Sequence, residues 1–524
     1  MSERETAGRH GARPASHFGR RNLLKGIAGG VIGSVAGTVQ QHEAAASAAS
    51  VSKPANPHAA PRLIWKLDRP AKPALPYSYF WTWDHSTNWM LDDPGMLNFG
   101  CDNRYLKRPE TYLEDYRRLT DLAVGLGVRG ILIWGFLRDD HGGVEFGKRV
   151  ADYAAGKGII IKPGVGTNWY GGVYYQGEHP YNIETFVRRH PDARLIDEQG
   201  KPQEHGVCPT HPRFVEWLQE GVRWLFREFN VGGANLENGD YVVCYCPRCR
   251  EHLAQWPKDE PPFWRDQYLG YNAALHAIEG QLKDKFVTWA TYQGFVPGKP
   301  ADDRHRAAYL QCDRPALVDK LPPDAVCQWT LTSMVRRQPL PLTAYLDNGT
   351  PAEAFSADLW PAGVKPPTVR SVGFLHQGSQ WHGRTRYDQV VSTIKEGCLR
   401  AYRAGLEGVS IHGEVSTMHI PWALNYLAFS HFIHWPEDSL RAWGRKTMGQ
   451  VLASEAEGEA YAELFAHWQA GSLTDGLKKD LRQRTRALAD DVAARGEHLH
   501  RFRFWNWLHQ VAEGTQDCHA ASFL

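Results

Sequence analysis

From about residue 76 the chain alternates short apolar, aromatic or β-branched runs with polar loops and longer amphipathic stretches. Eight runs have strand length: Tyr77–Trp83, Gly130–Gly135, Ile159–Gly164, Gly232–Glu237, Phe286–Thr291, Ala325–Leu331, Val372–His376 and Gly408–Gly413. Helical stretches fall between most of them. In Glu114–Leu126, apolar Tyr116, Leu119, Leu122 and Ala123 recur at helical spacing, and Phe214–Phe229 and Tyr387–Leu406 have the same character. Such alternation implies a parallel sheet covered by helices, and eight units predict an α/β fold, a (β/α)8 barrel of the TIM type. An open doubly wound sheet usually carries a Gly-rich nucleotide loop after its first strand. Here the first strand runs into Trp81-Thr82-Trp83-Asp84-His85 instead. Past residue 436 strands stop, and Leu440 to Phe504 reads as helix after helix. The expected organisation is a barrel over 63–435 and a helical C-terminal domain or cap over 436–524.

The first 62 residues have a different character. Arg20-Arg21 precedes Asn22-Leu23-Leu24-Lys25, then a weakly apolar stretch Ile27–Val39, then the small-residue segment Ala44-Ala45-Ala46-Ser47-Ala48-Ala49. This order resembles a twin-arginine export signal over 1–49, with a linker over 50–62 marked by Pro54, Pro57 and Pro61. The apolar stretch falls short of the roughly 20 residues needed to span a bilayer. The expectation is a protein exported by the twin-arginine translocase, periplasmic or secreted, with no stable membrane span after cleavage.

Composition removes some partners. Lys+Arg 60 against Asp+Glu 58 leaves almost no net charge, and no long basic run comes after the signal, so no nucleic-acid partner is expected. Trp 20, Tyr 21 and Phe 20 make a heavy aromatic load, and many of these residues stand beside polar ones in predicted loops.

In a barrel, chemistry sits at the C-terminal ends of the strands. The first two ends carry Trp83, Asp84 and His85, then Trp134 and Arg138. The third carries Asn168, Trp169 and Tyr170, and the fourth Asn235, Glu237 and Asp240. Tyr292 and Gln293 come after the fifth, while Gln328 and Trp329 lie within the sixth. The seventh end carries His376, Gln377, Trp381 and His382, and the eighth His412 and Glu414. Aromatic faces stack on the C–H face of a pyranose, and amides, imidazoles and carboxylates bond its hydroxyls. That mixture predicts a carbohydrate substrate. Hydrolysis needs two carboxyl groups. Glu237 closes a buried predicted strand, where desolvation favours the protonated form, so it is the expected general acid. Glu414 is the expected partner, with Asp240 as competitor.

Just past Glu237 lies Cys244-Tyr245-Cys246-Pro247-Arg248-Cys249, then His252, and Cys208 lies upstream. These are zinc-ligand types at close spacing, and a structural zinc is one reading. Disulfide pairing and plain loop packing are the others. No cofactor is required for catalysis in any of them.

The segment Asn235-Leu236-Glu237-Asn238-Gly239-Asp240, with the cysteine run after it, resembles the fourth-strand region of a group of exported bacterial barrels. These are glycoside-hydrolase-like proteins, distantly similar to α-glucuronidases and β-hexosaminidases. His434-Trp435-Pro436, leading to Leu440, Gly449 and Tyr461, resembles the helical segment after the barrel in that group. The resemblance implies that Glu237 matches the general acid of α-glucuronidases and that Glu414 loosely matches their base region. β-Hexosaminidases have an Asp-Glu pair at this strand end, and Leu236 stands where that Asp would be. The expected activity is therefore glycoside hydrolysis. The alternatives are a polysaccharide lyase or metal-dependent carbohydrate-active enzyme using histidines such as His85, His376, His382 or His412, and a barrel that binds carbohydrate without cleaving it.

Overall fold

The computed structural model describes residues 65–84, 107–238, 243–256, 258, 262–290, 321–331, 340–349, 369–375, 390–412 and 420–515, without the side chains of Thr330 and His412. The expected export signal and linker over 1–62 lie outside them. Among the described residues there are ten strands: β1 (Tyr79–Trp83), β2 (Gly130–Trp134), β3 (Ile160–Gly166), β4 (Arg194–Ile196), β5 (Pro202–Val207), β6 (Gly233–Glu237), β7 (Phe286–Ala290), β8 (Val326–Thr330), β9 (Ser371–Leu375) and β10 (Gly408–His412). Eight of them close a barrel in the order β1-β10-β9-β8-β7-β6-β3-β2. Every pair in it is parallel. These are the eight strands expected from the sequence, with ends moved by one or two residues. The antiparallel hairpin β4–β5 is the addition. β4 has only three residues and β5 is largely polar and exposed, so neither carries a readable hydrophobic alternation.

Strand pleating sorts the side chains into two sets, because successive residues face opposite sides. Tyr79, Trp81, Trp83, Leu132, Trp134, Phe286, Val326, Val372 and Phe374 form a cluster inside the barrel. The residues between them, such as Phe80, Ile131, Ile133, Leu236, Trp289 and Trp329, pack outward against the helices. Gly164 is a small residue of necessity. A Cβ there would lie 2.5 Å from the Trp134 ring.

Helices alternate with the strands. Pro109–Leu126, Pro212–Glu228 and Pro247–Ala254 each begin with proline, where the missing N–H is not needed. Ile420–His434 is buried almost all round, because it lies between β1 and the C-terminal helices. Phe80 of β1 meets Tyr426 and Phe429 at ring separations of 4.8 and 6.1 Å. On the same helix His431 bonds Thr447 Oγ1 at 2.9 Å and faces Asp438 at 3.2 Å. The helices of 440–512 share one compact unit with the barrel.

Burial pushes His431 down to about 4. A histidine whose folded pKa is depressed loses stability as pH falls, because the unfolded chain takes up the proton first. The unfolding midpoint should therefore drop between pH 6.5 and 4, by on the order of a few kcal/mol in stability. His431→Gln should flatten that slope in urea titrations run at several pH values.

Candidate active site

Glu237 is the last residue of β6 and is 1% exposed. Its position pairs with Gly166 of β3, and its carbonyl accepts the Thr167 N–H at 2.7 Å. Asn235, one inward position below, donates Nδ2–H to Glu237 Oε1 at 3.0 Å. The fourth predicted strand end is thus an inward carboxyl held by an inward amide.

An aromatic wall rises from the neighbouring strands, with the Trp134 ring over Gly164 of β3, the residue paired with Asn235. Trp83 and Trp134 lie 5.6 Å apart, and Tyr175 meets their rings edge-on at 5.9 and 6.4 Å. Tyr170 meets Trp134 edge-on at 5.9 Å. It adopts φ of 58°, the left-handed region that is strained for a side-chain-bearing residue. Sequence reading missed Tyr175. It lies well past the end of β3, and only the return of the loop over the barrel brings it here.

Asp84 and Arg138 close another side. Arg138 donates Nε–H at 2.7 Å and Nη2–H at 3.3 Å to the two Asp84 oxygens. His141 Nε2 lies 3.3 Å from Asp84 and 2.8 Å from the Gly135 carbonyl. Arg138 also stacks on Tyr175, 4.9 Å from the ring centre. Gly135 has φ of +77°, and a Cβ there would meet the Asp84 carboxylate at 2.4 Å. The carboxylate sits where only glycine leaves room.

Among the described residues, two buried amides near these strand ends have no partner. Asn168, after β3, and Asn238, after Glu237, are 0% and 1% exposed, and neither the oxygen nor the nitrogen of either amide is hydrogen-bonded. Gln328 faces inward and accepts from the Tyr79 hydroxyl.

Strand parity moves one expected residue. Trp329 belongs to the outward set and donates its indole N–H to Ser371 Oγ at 3.0 Å. Adjacent strand residues cannot both face the lumen, and Gln328 has that side. His85, Asp240, Tyr292, Gln293, His376, Gln377, Trp381, His382 and Glu414 lie outside the described residues, as does the side chain of His412.

The cysteines converge. The sulfurs of Cys208, Cys244, Cys246 and Cys249 all lie within 4.8 Å of one another, and all four residues are buried free thiols. Cys208 Sγ is 3.5 Å from both Cys246 Sγ and Cys249 Sγ. Hydrogen bonds from Cys244 and Cys249 push the Cys208 thiol down, while the same contacts push those two up. His252 is exposed on the helix Pro247–Ala254 and is not part of this group.

The cluster joins separate pieces of chain. The hairpin enters through Tyr245 N–H on the Ile196 carbonyl at 2.8 Å, and the loop after β3 through Val207 N–H on the Asn168 carbonyl at 2.9 Å. Trp169 packs on the cysteines. From the helix Pro262–His276, Arg265 donates to the carbonyls of Cys249 and Cys244, and Asp266 accepts the Cys244 N–H at 2.8 Å. The junction thus braces the loops after β3 and β6.

No protein-family model matches the chain. A stretch of 166 residues is 25% identical to a β-galactosidase from Thermus thermophilus, covering 28% of this chain and 23% of that protein. An α-L-fucosidase from Paenibacillus thiaminolyticus is 12% identical at a TM-score of 0.39, covering 69% of this chain and 50% of its own. An exo-β-N-acetylglucosaminidase from Vibrio harveyi is 10% identical at a TM-score of 0.37, with 76% and 57% covered. These neighbours are glycoside hydrolases. The chain spans about a quarter of the length of the curated relative and about half that of the fucosidase.

Arg138 and Asp84 have side chains 12% and 3% exposed. Removing one partner leaves a nearly buried charge uncompensated, so Asp84→Ala should cost about 3–5 kcal/mol. Chemical denaturation of the purified variant reads the loss.

Proposed function

We propose that the protein is a glycoside hydrolase with Glu237 as its general acid. The supporting observation is the position of Glu237: an inward carboxyl at the C-terminal end of β6, next to β3, whose Gly164 lies under the Trp134 ring of the wall formed with Trp83, Tyr170 and Tyr175. The orphaned amides of Asn168 and Asn238 add to it. A buried amide left unbonded costs about 1–3 kcal/mol, and a hydroxyl-rich ligand would offset that cost. The sequence similarity to a β-galactosidase points the same way.

In this reading a sugar ring stacks on the aromatic wall. Glu237 gives its proton to the glycosidic oxygen as the bond to the leaving group breaks. A second carboxylate attacks the anomeric carbon or activates water, depending on the gap between the two groups. Glu414 and Asp240 are the candidates for it.

We further propose that the four cysteines hold a structural zinc. Tetrahedral zinc with bonds of about 2.3 Å sets its sulfurs about 3.8 Å apart. The spread of the four thiols fits that requirement. The ion would be structural, since four protein ligands leave no open position. Export by the twin-arginine route is also proposed, because it would carry a folded barrel with its metal already in place.

A panel of 4-nitrophenyl glycosides tests the activity. On the methyl glycoside of the sugar that is cleaved, whose leaving group needs protonation, Glu237→Gln should lower kcat/KM by about 10²–10⁴-fold. Undiminished hydrolysis by that variant would remove Glu237 from the role. Glu414→Gln and Asp240→Asn, assayed in parallel, identify the partner carboxylate by which of them abolishes turnover.

Elemental analysis should find one zinc per chain. A strong chelator should lower Tm and expose the four thiols to a thiol reagent. Metal-free protein of unchanged Tm would sink the zinc assignment.

A further inference from the structure

Beneath Glu237 the barrel interior holds a lysine that the proposed reaction does not use. Lys162 of β3 is fully buried. Its ammonium position lies 4.0 Å from the Tyr79 ring centre and 3.9 Å from that of Phe286. Burial pushes its amine well below the usual lysine range. An apolar side chain of similar length would fill this space without desolvating an amine, so its presence calls for a role.

Lys162 Nζ donates to Thr288 Oγ1 at 2.9 Å. Thr288 Oγ1 donates to Asn235 Oδ1 at 2.7 Å, and Asn235 Nδ2 donates to Glu237 Oε1 at 3.0 Å. The three bonds run in one direction. An amine N–H occupies the threonine oxygen, which turns the single hydroxyl proton toward Asn235. That proton requires the amide oxygen to face Thr288, so the amide nitrogen faces Glu237. Glu237 Oε1 is then an acceptor. When the carboxyl is protonated, its proton belongs on Oε2.

We propose that Lys162, Thr288 and Asn235 are positioning residues that assign the acidic proton of Glu237 to Oε2 and hold Oε1 as an acceptor. The inference rests on the reading of Glu237 as general acid. In the transfer step the Oε2–H bond breaks and the proton passes to the glycosidic oxygen. The Asn235 N–H on Oε1 stabilises the carboxylate left behind. Among the described residues, the titratable groups facing this column are Tyr79 from β1 and Glu237 from β6. Burial keeps Tyr79 a neutral phenol.

Losing the chain has a directional consequence. Without the amine, the Asn235 amide is free to turn its oxygen toward Glu237. A carboxylate facing that oxygen is disfavoured, so the proton is held more tightly, but on the oxygen that faces Asn235. The acid would titrate later and deliver its proton less well.

Two readouts test this. The first is ¹³C NMR of protein labelled at the glutamate carboxyl carbons, with the Glu237 resonance assigned by its absence in Glu237→Gln. Lys162→Met and Thr288→Val should each raise the Glu237 midpoint by about one pH unit. Thr288→Ser should titrate as the parent does. The second compares methyl and 4-nitrophenyl glycosides of the sugar found by the panel. The first two variants should lose about tenfold or more in kcat/KM on the methyl glycoside, which needs protonation. They should lose little on the nitrophenyl one, and Thr288→Ser should restore the parent ratio.

A purely structural lysine would move neither the midpoint nor the leaving-group ratio. Unchanged midpoints in folded Lys162→Met and Thr288→Val would overturn the proposal. Should Lys162→Met not fold, the Thr288 pair decides it alone. The NMR titration needs no turnover, so it separates failure of the chain from failure of Glu237 as the acid.

Discussion

Closure of eight parallel strands forces every second side chain into one enclosed space, and most of the molecule's chemistry derives from that. In an eight-stranded barrel the lumen is filled by a few layers of side chains. Its lower and middle levels take large rings: Tyr79, Trp81, Phe286 and Phe374. Any polar group there must find its partner among other inward residues. Lys162, Thr288 and Asn235 meet this demand by bonding one another, and their column ends on Glu237. The carboxyl at the mouth is therefore continuous with the barrel floor.

The mouth is built from loops, and loops need bracing. Asp84 and Arg138 tie the end of β1 to the loop after β2 through a paired, nearly buried bond. The cysteine junction ties the loop after β3, the β4–β5 hairpin and the segment after β6 to one helix. Both devices sit close to the aromatic wall and the unbonded amides. A binding site needs its rings and amides held to within a fraction of an ångström, and neighbouring loops supply that best when cross-linked to each other.

Residues distant in sequence meet here for definable reasons. Cys208 joins a cluster some forty residues downstream because the hairpin folds back beside the loop after β6. Trp329 leaves the mouth because Gln328 takes the inward side of β8. Tyr175 enters it because the glycine-rich turn after Tyr170 carries the chain back over the lumen. In each case the deciding factor is orientation, which composition and spacing do not record.

The sequence by itself determined the strands, their number and their parallel order, because hydrophobic periodicity is local and survives without tertiary context. It also singled out Glu237 and the cysteine run, since both stand directly at a strand end. The tertiary structure alone decided which residues share the lumen. Lys162 and Thr288 look like ordinary polar interruptions of apolar strands until closure sets them side by side, 126 residues apart, beneath the carboxyl. The hairpin and the place of Cys208 were equally invisible, because β4 is only three residues long, β5 is largely polar, and their stability comes from the groups they pack against. Periodicity tells which face of a strand is buried, but only a closed sheet tells what that face meets.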